Sequence, residues 1–157
     1  GLTAPATAAL WRLFGGFASV AATVELRTSG ADTARLTLPA VPWRPVRQWP
    51  YALRLLDVTG AFGARGVTPL DVTLPFSVTG DGLDGSYRLT ASGGAASCEP
   101  ATADGPVFTG RGLALAYAGV QSCANLRFAG LLSGPDTDDA RWDALLGGRQ
   151  FHIRNYF

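Results

Sequence analysis

The stretch LDVTLPFSV, residues 70–78, decides the predicted fold class because apolar and polar positions alternate along it. The apolar positions all fall on one side of that pattern: Leu70, Val72, Leu74, Phe76 and Val78. A period of two residues is typical of a β-strand that buries one face and exposes the other. Pro75 falls on the outer face and lacks a backbone N–H, so we expect a sheet edge or a bulge at this position.

Similar short segments flank this strand, and glycine-rich turns such as Gly80–Gly85 separate them. Further strands are predicted over residues 20–26, 34–38, 51–58, 87–91, 107–108, 113–118, 126–132 and 151–157. A glycine-rich turn is predicted over residues 60–66, and a loop of small residues over 93–106. This rhythm favours a mainly β fold: an antiparallel sandwich, a barrel or a long bent sheet.

Two helices complete the predicted architecture. Apolar residues at helical spacing predict an N-terminal helix over residues 4–14, which Gly15 and Gly16 would stop. The pair Asp136–Thr137 predicts the cap of a short helix near residues 138–146, with aspartates near its positive end. A length of 157 residues fits one domain over 1–157, in which residues 1–16 form a helical extension.

The composition excludes several classes of protein. Hydrophobic residues make up 47% of the chain and charged residues 16%, too apolar for a disordered tail and too poor in charge for a coiled coil. The formal net charge of +1 gives no reason to expect a nucleic-acid partner. The apolar stretch Thr7–Ala22 is short and contains Arg12, so we expect membrane attachment only through a segment absent from this chain.

The two cysteines, Cys98 and Cys123, match no closely spaced zinc or redox motif. A disulfide between them would close a loop of about 25 residues and stabilise the protein by roughly 3 kcal/mol. We predict this disulfide, which implies a periplasmic or extracellular location. The alternative is a pair of independent buried thiols, as found in many cytosolic proteins.

Residue types that carry catalysis are sparse. His152 is the only histidine, and no serine or cysteine nucleophile motif accompanies it. Two groups of aspartates are explained by local structure: Asp136, Asp138 and Asp139 by helix capping, and Asp81 and Asp84 by a turn. We therefore predict no enzyme activity, no catalytic residue, no cofactor and no metal site.

A proline-rich segment over residues 39–50 leads into Tyr51 and carries the candidate interface of the sequence. Its members are large aromatic and arginine side chains: Trp43, Arg44, Arg47, Trp49 and Tyr51. Prolines exclude a central strand here, and tryptophan and arginine are enriched in interface hot spots. Three interpretations stay open: part of the core, a protein interface, or a surface that stacks on sugar rings.

The second half of the chain carries a series of glycine-punctuated motifs. In order they are GSYRLTASG (85–93), DGPVFTGRG (104–112), LRFAGLLSG (126–134), DDARWDALLG (138–147) and GRQFHI (148–153). Over residues 83–153 this order resembles the C-terminal portion of the type II secretion system protein N family. The resemblance implies a periplasmic β-rich module that accompanies a secretion machine, is tethered by an inner-membrane helix and has no catalytic residues.

From these observations we predict a non-catalytic cell-envelope assembly or scaffold module, as a periplasmic part of a type II secretion system. The first alternative is a structural protein of a virion or extracellular filament. The second alternative is a glycan-binding β-sandwich that uses Trp43 and Trp49. The expected partners are proteins of an envelope or multi-subunit assembly, and a homo-oligomer is a further option.

Overall fold

The computed structural model describes residues 3–25, 46–47, 52–102 and 104–148. The chain divides into two compact units, one made of Gly1–Tyr51 with His152–Phe157 and the other of Ala52–Phe151. The organisation as one domain, expected from the chain length, stays a prediction. Residues 20–25 form no strand, and the rest of the hairpin predicted over 20–38 lies outside the described residues, as does the strand predicted over 151–157.

In the first unit, helix α1 spans Ala4–Gly16, where the helical spacing predicts it. Thr3 is its N-cap, and the Thr3 side-chain oxygen accepts a hydrogen bond from the N–H of Ala6. The hydroxyl of Thr7 donates to the carbonyl of Thr3 at 3.0 Å, which further fixes this first turn. Within the described ranges, no helix has the length and apolar character needed to cross a membrane.

The second unit is a mixed α/β fold. Its elements in chain order are α2 (Val58–Ala64), β1 (Val72–Thr79), β2 (Gly85–Ser92), β3 (Ala95–Pro100), β4 (Val107–Thr109), α3 (Gly110–Ala118), α4 (Cys123–Phe128), β5 (Leu132–Ser133) and α5 (Asp139–Leu146). The strands form one sheet in the order β3-β2-β1-β4-β5, in which β4 is parallel to β1 and the other pairs are antiparallel. The predicted mainly β sandwich, barrel or long bent sheet is therefore wrong.

Strand β1 lies at the centre of this sheet and contains most of the alternating stretch of the sequence. Leu74, Phe76 and Val78 are almost completely buried, whereas Thr73 is exposed, as the alternation predicts. Burying a large apolar side chain contributes roughly 1.5–3 kcal/mol relative to leaving it in water. The inner face of β1 is therefore a main source of stability for this unit.

Pro75 lies in the central strand, although its missing N–H predicts an edge or a bulge. The parallel ladder begins only at Ser77, which pairs with Val107 and donates its N–H to the carbonyl of Pro106 at 2.9 Å. Because backbone groups two residues apart in a strand point the same way, Pro75 directs its nitrogen to this side, before the ladder starts. The strand is thus locally an edge at Pro75, where the backbone of Gly105 packs against the proline carbonyl.

Helices replace several of the predicted strands and turns. Residues 113–118 belong to α3, most of 126–132 to α4 and β5, and 58–64 to α2. The alternation in α3 is uninformative, because its leucines and alanines are apolar in both registers and are strong helix formers. Thr109 caps this helix by accepting a hydrogen bond from the N–H of Gly112, and Gly119 ends it at φ 68°.

Strand β3 occupies part of the segment predicted as a loop. Gly93 and Gly94 have φ of 58° and 89°, the left-handed conformation that a tight two-residue hairpin turn requires. This turn returns the chain along β2, so that Cys98 pairs with Leu89. The sequence of β3 does not predict a strand, because its side chains are small. The β-strand propensity of such a segment depends on the neighbouring strand against which it packs.

The helices cover one face of the sheet and share its core. Each element of this unit except the edge strand β3 supplies a fully or almost fully buried side chain. These side chains are Phe62, Phe76, Leu89, Phe108, Leu113, Leu126, Leu132 and Trp142. The opposite face is polar, and Thr73 and Thr90 are exposed on it. The described elements of this unit therefore form two layers around one core.

We expect Gly105→Ala to destabilise the protein by about 1–3 kcal/mol, because the new Cβ would overlap the carbonyl of Pro75. Gly63→Ala is the matched control: a Cβ there meets no atom within 4 Å, and alanine is the better helix former. Chemical denaturation of both variants measures the difference. A Gly105→Ala protein as stable as the wild type would contradict the close approach at the start of the β1–β4 ladder.

Candidate functional site

The two cysteines lie far apart in the fold, and both thiols are free. Cys98 belongs to β3, at one edge of the sheet, whereas Cys123 begins α4, which packs against β5 at the other edge. Three strands lie between β3 and β5, so at about 4.8 Å per step the two edges are roughly 19 Å apart. A disulfide needs Cα atoms within about 7 Å of each other. The predicted disulfide is therefore wrong.

Both thiols are held in the neutral form. Burial, reinforced by the carboxylates of Asp57 and Glu99, raises the pKa of the Cys98 thiol to about 11. Burial, reinforced chiefly by the carboxylate of Asp143, raises the pKa of the Cys123 thiol to about 12. Because the thiolate is the reactive form, neither cysteine is an activated nucleophile at neutral pH.

A hollow of about 180 Å³ lies beside Cys123, between the end of α3, the start of α4 and helix α5. Trp142 and Leu146 contribute to its apolar wall, and Ser122 and Asp143 add polar groups. Asp143 also fixes the start of α4, because its Oδ1 accepts a hydrogen bond from the N–H of Cys123 at 2.8 Å. The hollow is smaller than the roughly 300–1,000 Å³ of most ligand pockets, so it suits a small group at most.

The indole N–H of Trp142 is buried and has no hydrogen-bond acceptor among the described residues. Its ring packs at steep angles against Phe76 and Phe108, with ring centroids 5.2 Å away in both cases. In such edge-to-face packing, an indole N–H can contribute a weak N–H···π contact. We therefore interpret Trp142 as a core residue and not as a ligand-binding group.

Arg127 ties the end of α4 to the segment before α5. Its Nε donates to Oδ2 of Asp139 at 2.7 Å and its Nη2 to Oδ1 at 2.8 Å, which makes a bidentate ion pair. The guanidinium also donates to the carbonyls of Gly134 and Pro135, at 2.8 and 2.6 Å. The bonds to Asp139 raise the pKa of Arg127 above its ordinary value. This network fixes α5, and with it Asp143, beside the start of α4.

Sequence reasoning missed this ion pair because the two residues are 12 positions apart and no local pattern links them.

The roles predicted for the aspartates, a turn and a helix cap, are confirmed only in part. Asp84 accepts a hydrogen bond from a backbone N–H of its own turn, at 2.8 Å, as expected. The N-cap of α5 is Asp138 and not the predicted Asp136–Thr137 pair, and its side chain makes no capping bond but pairs with Arg141.

Four of the five residues of the candidate interface lie outside the described residues: Trp43, Arg44, Trp49 and Tyr51. The single histidine, His152, also lies outside them. Arg47 is described and is exposed. The interface therefore stays a prediction. Over residues 3–25, 46–47, 52–102 and 104–148, no three His, Cys, Asp or Glu side chains come together as ligands for a metal ion.

Solved structures match nearly the whole chain. A crystal structure of a GCN5-related N-acetyltransferase from Kribbella flavida is 30% identical, covers 95% of this chain and has a TM-score of 0.75. The GCN5-related N-acetyltransferase from Anabaena variabilis ATCC 29413 is 21% identical over 95% of this chain, with a TM-score of 0.84. These matches span 40% and 39% of the two solved chains, so this chain has about two fifths of their length.

A third structure matches a smaller share of the chain. It is a conserved protein of unknown function from Enterococcus faecalis V583, described as a probable N-acyltransferase, and is 17% identical over 66% of this chain and 28% of its own, with a TM-score of 0.56. That share is comparable with the length of the Ala52–Phe151 unit. No protein-family profile and no curated protein matches the chain.

These findings correct the family and function predicted from the sequence. The mixed α/β fold matches N-acetyltransferase chains, so the resemblance to the type II secretion system protein N family is wrong. Its motifs were misleading because glycines punctuate turns in many folds. Here residues 104–112 run into α3, and residues 126–134 contain the second half of α4 together with β5. The predicted functions, a non-catalytic envelope module, a virion or filament protein and a glycan-binding sandwich, are contradicted too. The predicted lack of enzyme activity is contradicted as well, because the two structures that match 95% of the chain are N-acetyltransferases.

We expect both thiols of the folded protein to resist alkylation. At pH 8 a thiol of pKa 11 is about one-thousandth ionised and one of pKa 12 about one ten-thousandth, compared with roughly a quarter for an unperturbed cysteine. Iodoacetamide labelling followed by mass spectrometry, with Cys98→Ser and Cys123→Ser assigning the sites, measures the two rates. The unfolded protein should label rapidly at both positions, and equally rapid labelling of the folded protein would contradict the raised pKa values of the two thiols.

We expect Arg127→Lys to destabilise the protein by about 1.5–3 kcal/mol, because lysine cannot reproduce the bidentate pair and the two carbonyl bonds. Arg88→Lys is the control, since Arg88 makes one contact of 3.3 Å to Glu99 on the exposed face of the sheet. Thermal and urea unfolding should show little change for this control. Equal effects of the two substitutions would mean that the α4–α5 network contributes no more than a surface pair.

Proposed function

We propose that this chain is part of an N-acyltransferase, an enzyme that transfers an acetyl group to the nitrogen of an amine. The observation that carries the proposal is the match to the Kribbella flavida N-acetyltransferase, with 30% identity and a TM-score of 0.75 over 95% of the chain. The match with the Anabaena variabilis enzyme supports the same fold. Since a fold alone does not imply a function, the activity has to be tested directly.

The proposed reaction joins an amine to an activated acyl carbon. The lone pair of the neutral amine nitrogen attacks the carbonyl carbon of an acetyl thioester, for which coenzyme A is a common carrier. A C–N bond forms, the C–S bond breaks, the thiol carrier leaves, and one proton is lost from nitrogen. Catalysis needs a base for that proton and donors for the oxyanion that forms on the carbonyl oxygen.

The properties of Cys98 and Cys123 favour direct transfer of the acyl group from donor to amine. They do not favour a covalent acyl-enzyme intermediate on either cysteine. Such an intermediate would require a thiolate, and the pKa values of Cys98 and Cys123 are raised to about 11 and 12. Cys123 is also almost completely buried, with 1% of its surface exposed. The described cysteines therefore contribute packing, and we propose that the amine attacks the acyl donor without their participation.

The proposed acyl transfer does not itself specify a compartment or a protein partner. The periplasmic or extracellular location was inferred from a disulfide that the fold does not contain and from a family resemblance that the matched structures contradict. It stays a prediction, as do the protein partners, the option of a homo-oligomer, and the absence of a nucleic-acid partner.

We expect the natural full-length polypeptide to acetylate at least one member of a panel of primary amines, with acetyl-CoA as donor. The product gains the mass of one acetyl group and loses the amine proton, and one free thiol is released for each amide formed. Mass spectrometry of the amines and a thiol-detecting dye follow the two products independently. Thiol release without amide would indicate hydrolysis of the donor, and no amide across the panel would contradict the proposed function.

The cysteine variants test the direct route in the same assay. Cys98→Ser and Cys123→Ala should retain acetyl transfer within about threefold, provided that circular dichroism shows each variant to be folded. No acetyl group should be found on either cysteine when the wild type is incubated with the donor alone. Acetylation of one thiol, with loss of transfer in the matching variant, would contradict the direct route and leave the acyltransferase assignment intact.

A further inference from the structure

A second hollow lies on the side of α3 at which that helix begins. Three parts of the Ala52–Phe151 unit meet there: the extended segment before α2, the turn between β1 and β2, and the first turns of α3. Eight residues line it: Leu53, Arg54, Leu55, Asp81, Leu83, Gly110, Arg111 and Ala114. The hollow, here called the arginine cleft, has a volume of about 270 Å³, slightly below the roughly 300 Å³ at which the range of typical ligand pockets begins.

The turn is held in place by a backbone contact that leaves the charge of Arg54 uncompensated. Asp81 adopts φ 58°, the only non-glycine residue with a positive φ in the described parts of the chain. Its carbonyl accepts a hydrogen bond from Nη2 of Arg54 at 2.9 Å. A carbonyl is neutral, so Arg54 keeps its full positive charge and further N–H donors at the cleft.

The carboxylate of Asp81 is accounted for separately. It packs directly on Gly110, so closely that a Cβ on Gly110 would lie 2.5 Å from Oδ2. Gly110 is the first residue of α3, where unpaired N–H groups and the helix dipole favour a negative charge. The other acid of the turn, Asp84, accepts a hydrogen bond from the N–H of Gly80. Among the described residues, neither carboxylate forms an ion pair with Arg54 or Arg111.

Arg111 adds a second guanidinium with no acceptor among the described residues. It is exposed at the start of α3, and no hydrogen bond or ion pair engages it in the part of the chain that the structure describes. Arg54 and Arg111 therefore bring two uncompensated positive charges to one hollow. Guanidinium groups bind carboxylates well because their planar donors match the two oxygens.

Most of the remaining wall of the arginine cleft consists of apolar side chains. Leu55, Leu83 and Ala114 are 5%, 7% and 5% exposed, so these side chains are anchored in the core. Leu53 adds further apolar surface. A ligand that satisfies both parts of the wall needs an anionic head and a short aliphatic tail.

We propose that the arginine cleft binds a small aliphatic carboxylate, with the carboxylate held by Arg54 and Arg111 and the chain lying against Leu55, Leu83 and Ala114. The site is distinct from the hollow beside Cys123 and does not depend on the acyl-transfer proposal. An aliphatic alcohol lacks the charge, and inorganic phosphate lacks the tail, so both should bind more weakly than the carboxylate. For a ligand of this size we expect a weak affinity, with Kd on the order of 1 mM.

The experiment titrates the 157-residue protein with hexanoate, hexanol and inorganic phosphate and follows backbone amide NMR shifts. We expect hexanoate to bind saturably and to shift signals of the segment before α2, the β1–β2 turn and the start of α3. Hexanol and phosphate should each bind at least about tenfold more weakly. Equal binding of hexanol would exclude a role for the guanidinium groups, equal binding of phosphate would exclude the apolar wall, and no saturation by hexanoate would overturn the proposal.

Three arginine variants, each checked for folding, locate the site. Arg111→Gln should weaken hexanoate binding at least about tenfold and leave the thermal midpoint unchanged, because it removes no contact within the described fold. Arg54→Gln should weaken binding similarly and in addition loosen the turn around Asp81. Arg88→Gln removes the same charge on the exposed sheet face and should leave binding unchanged. Equal loss in Arg88→Gln and Arg111→Gln would show a non-specific effect of net charge and overturn the site.

Discussion

The fold of the Ala52–Phe151 unit depends on the burial of Phe76 at the centre of β1. Its ring centroid lies 5.2 Å from Trp142, 5.4 Å from Tyr87, 6.1 Å from Phe108 and 6.2 Å from Phe62. Those four rings come from α5, β2, β4 and α2, so one side chain contacts elements from both layers. Phe76 is completely buried, and edge-to-face contacts add directional preference to its large apolar area. The sheet order and the placement of the helices therefore have to preserve the contacts of the Phe76 ring with these four aromatic rings.

The parallel return of β4 beside β1 determines where the polar groups of this unit meet. Because β4 ends at Thr109 and α3 begins at Gly110, the start of α3 comes next to the turn that leaves β1, and Asp81 packs on Gly110. The same crossing sends the chain on through α4 and α5, where Arg127 and Asp139 fix the surroundings of Cys123. The arginine cleft and the hollow beside Cys123 are thus both consequences of one strand position.

The functional evidence is of two kinds. The likeness to solved N-acetyltransferases concerns about two fifths of those chains, and it is the basis of the proposed acyl transfer. The chemistry of the described residues is narrower: two thiols kept neutral by burial and nearby carboxylates, and two arginines whose charges are uncompensated. A buried neutral thiol is suited to packing, whereas an exposed guanidinium beside an apolar wall is suited to binding. The cysteines therefore stabilise the fold, whereas the two arginines of the cleft are available to a ligand.

The sequence by itself determined the elements whose pattern is local. The alternation over residues 70–78 specified β1 and its buried face, and the spacing over residues 4–14 specified α1, because side-chain periodicity follows directly from backbone geometry. Tertiary structure decided the rest. The segment 113–118 is apolar at nearly every position, so its pattern does not distinguish a buried helix from a strand, and its packing against β4 and α5 favours the helix. Strand β3 forms because β2 offers it a hydrogen-bonding edge. The arginine cleft was invisible for the same physical reason: Arg54, Asp81 and Arg111 are distant in the chain, and only the return of β4 beside β1 brings their surroundings together.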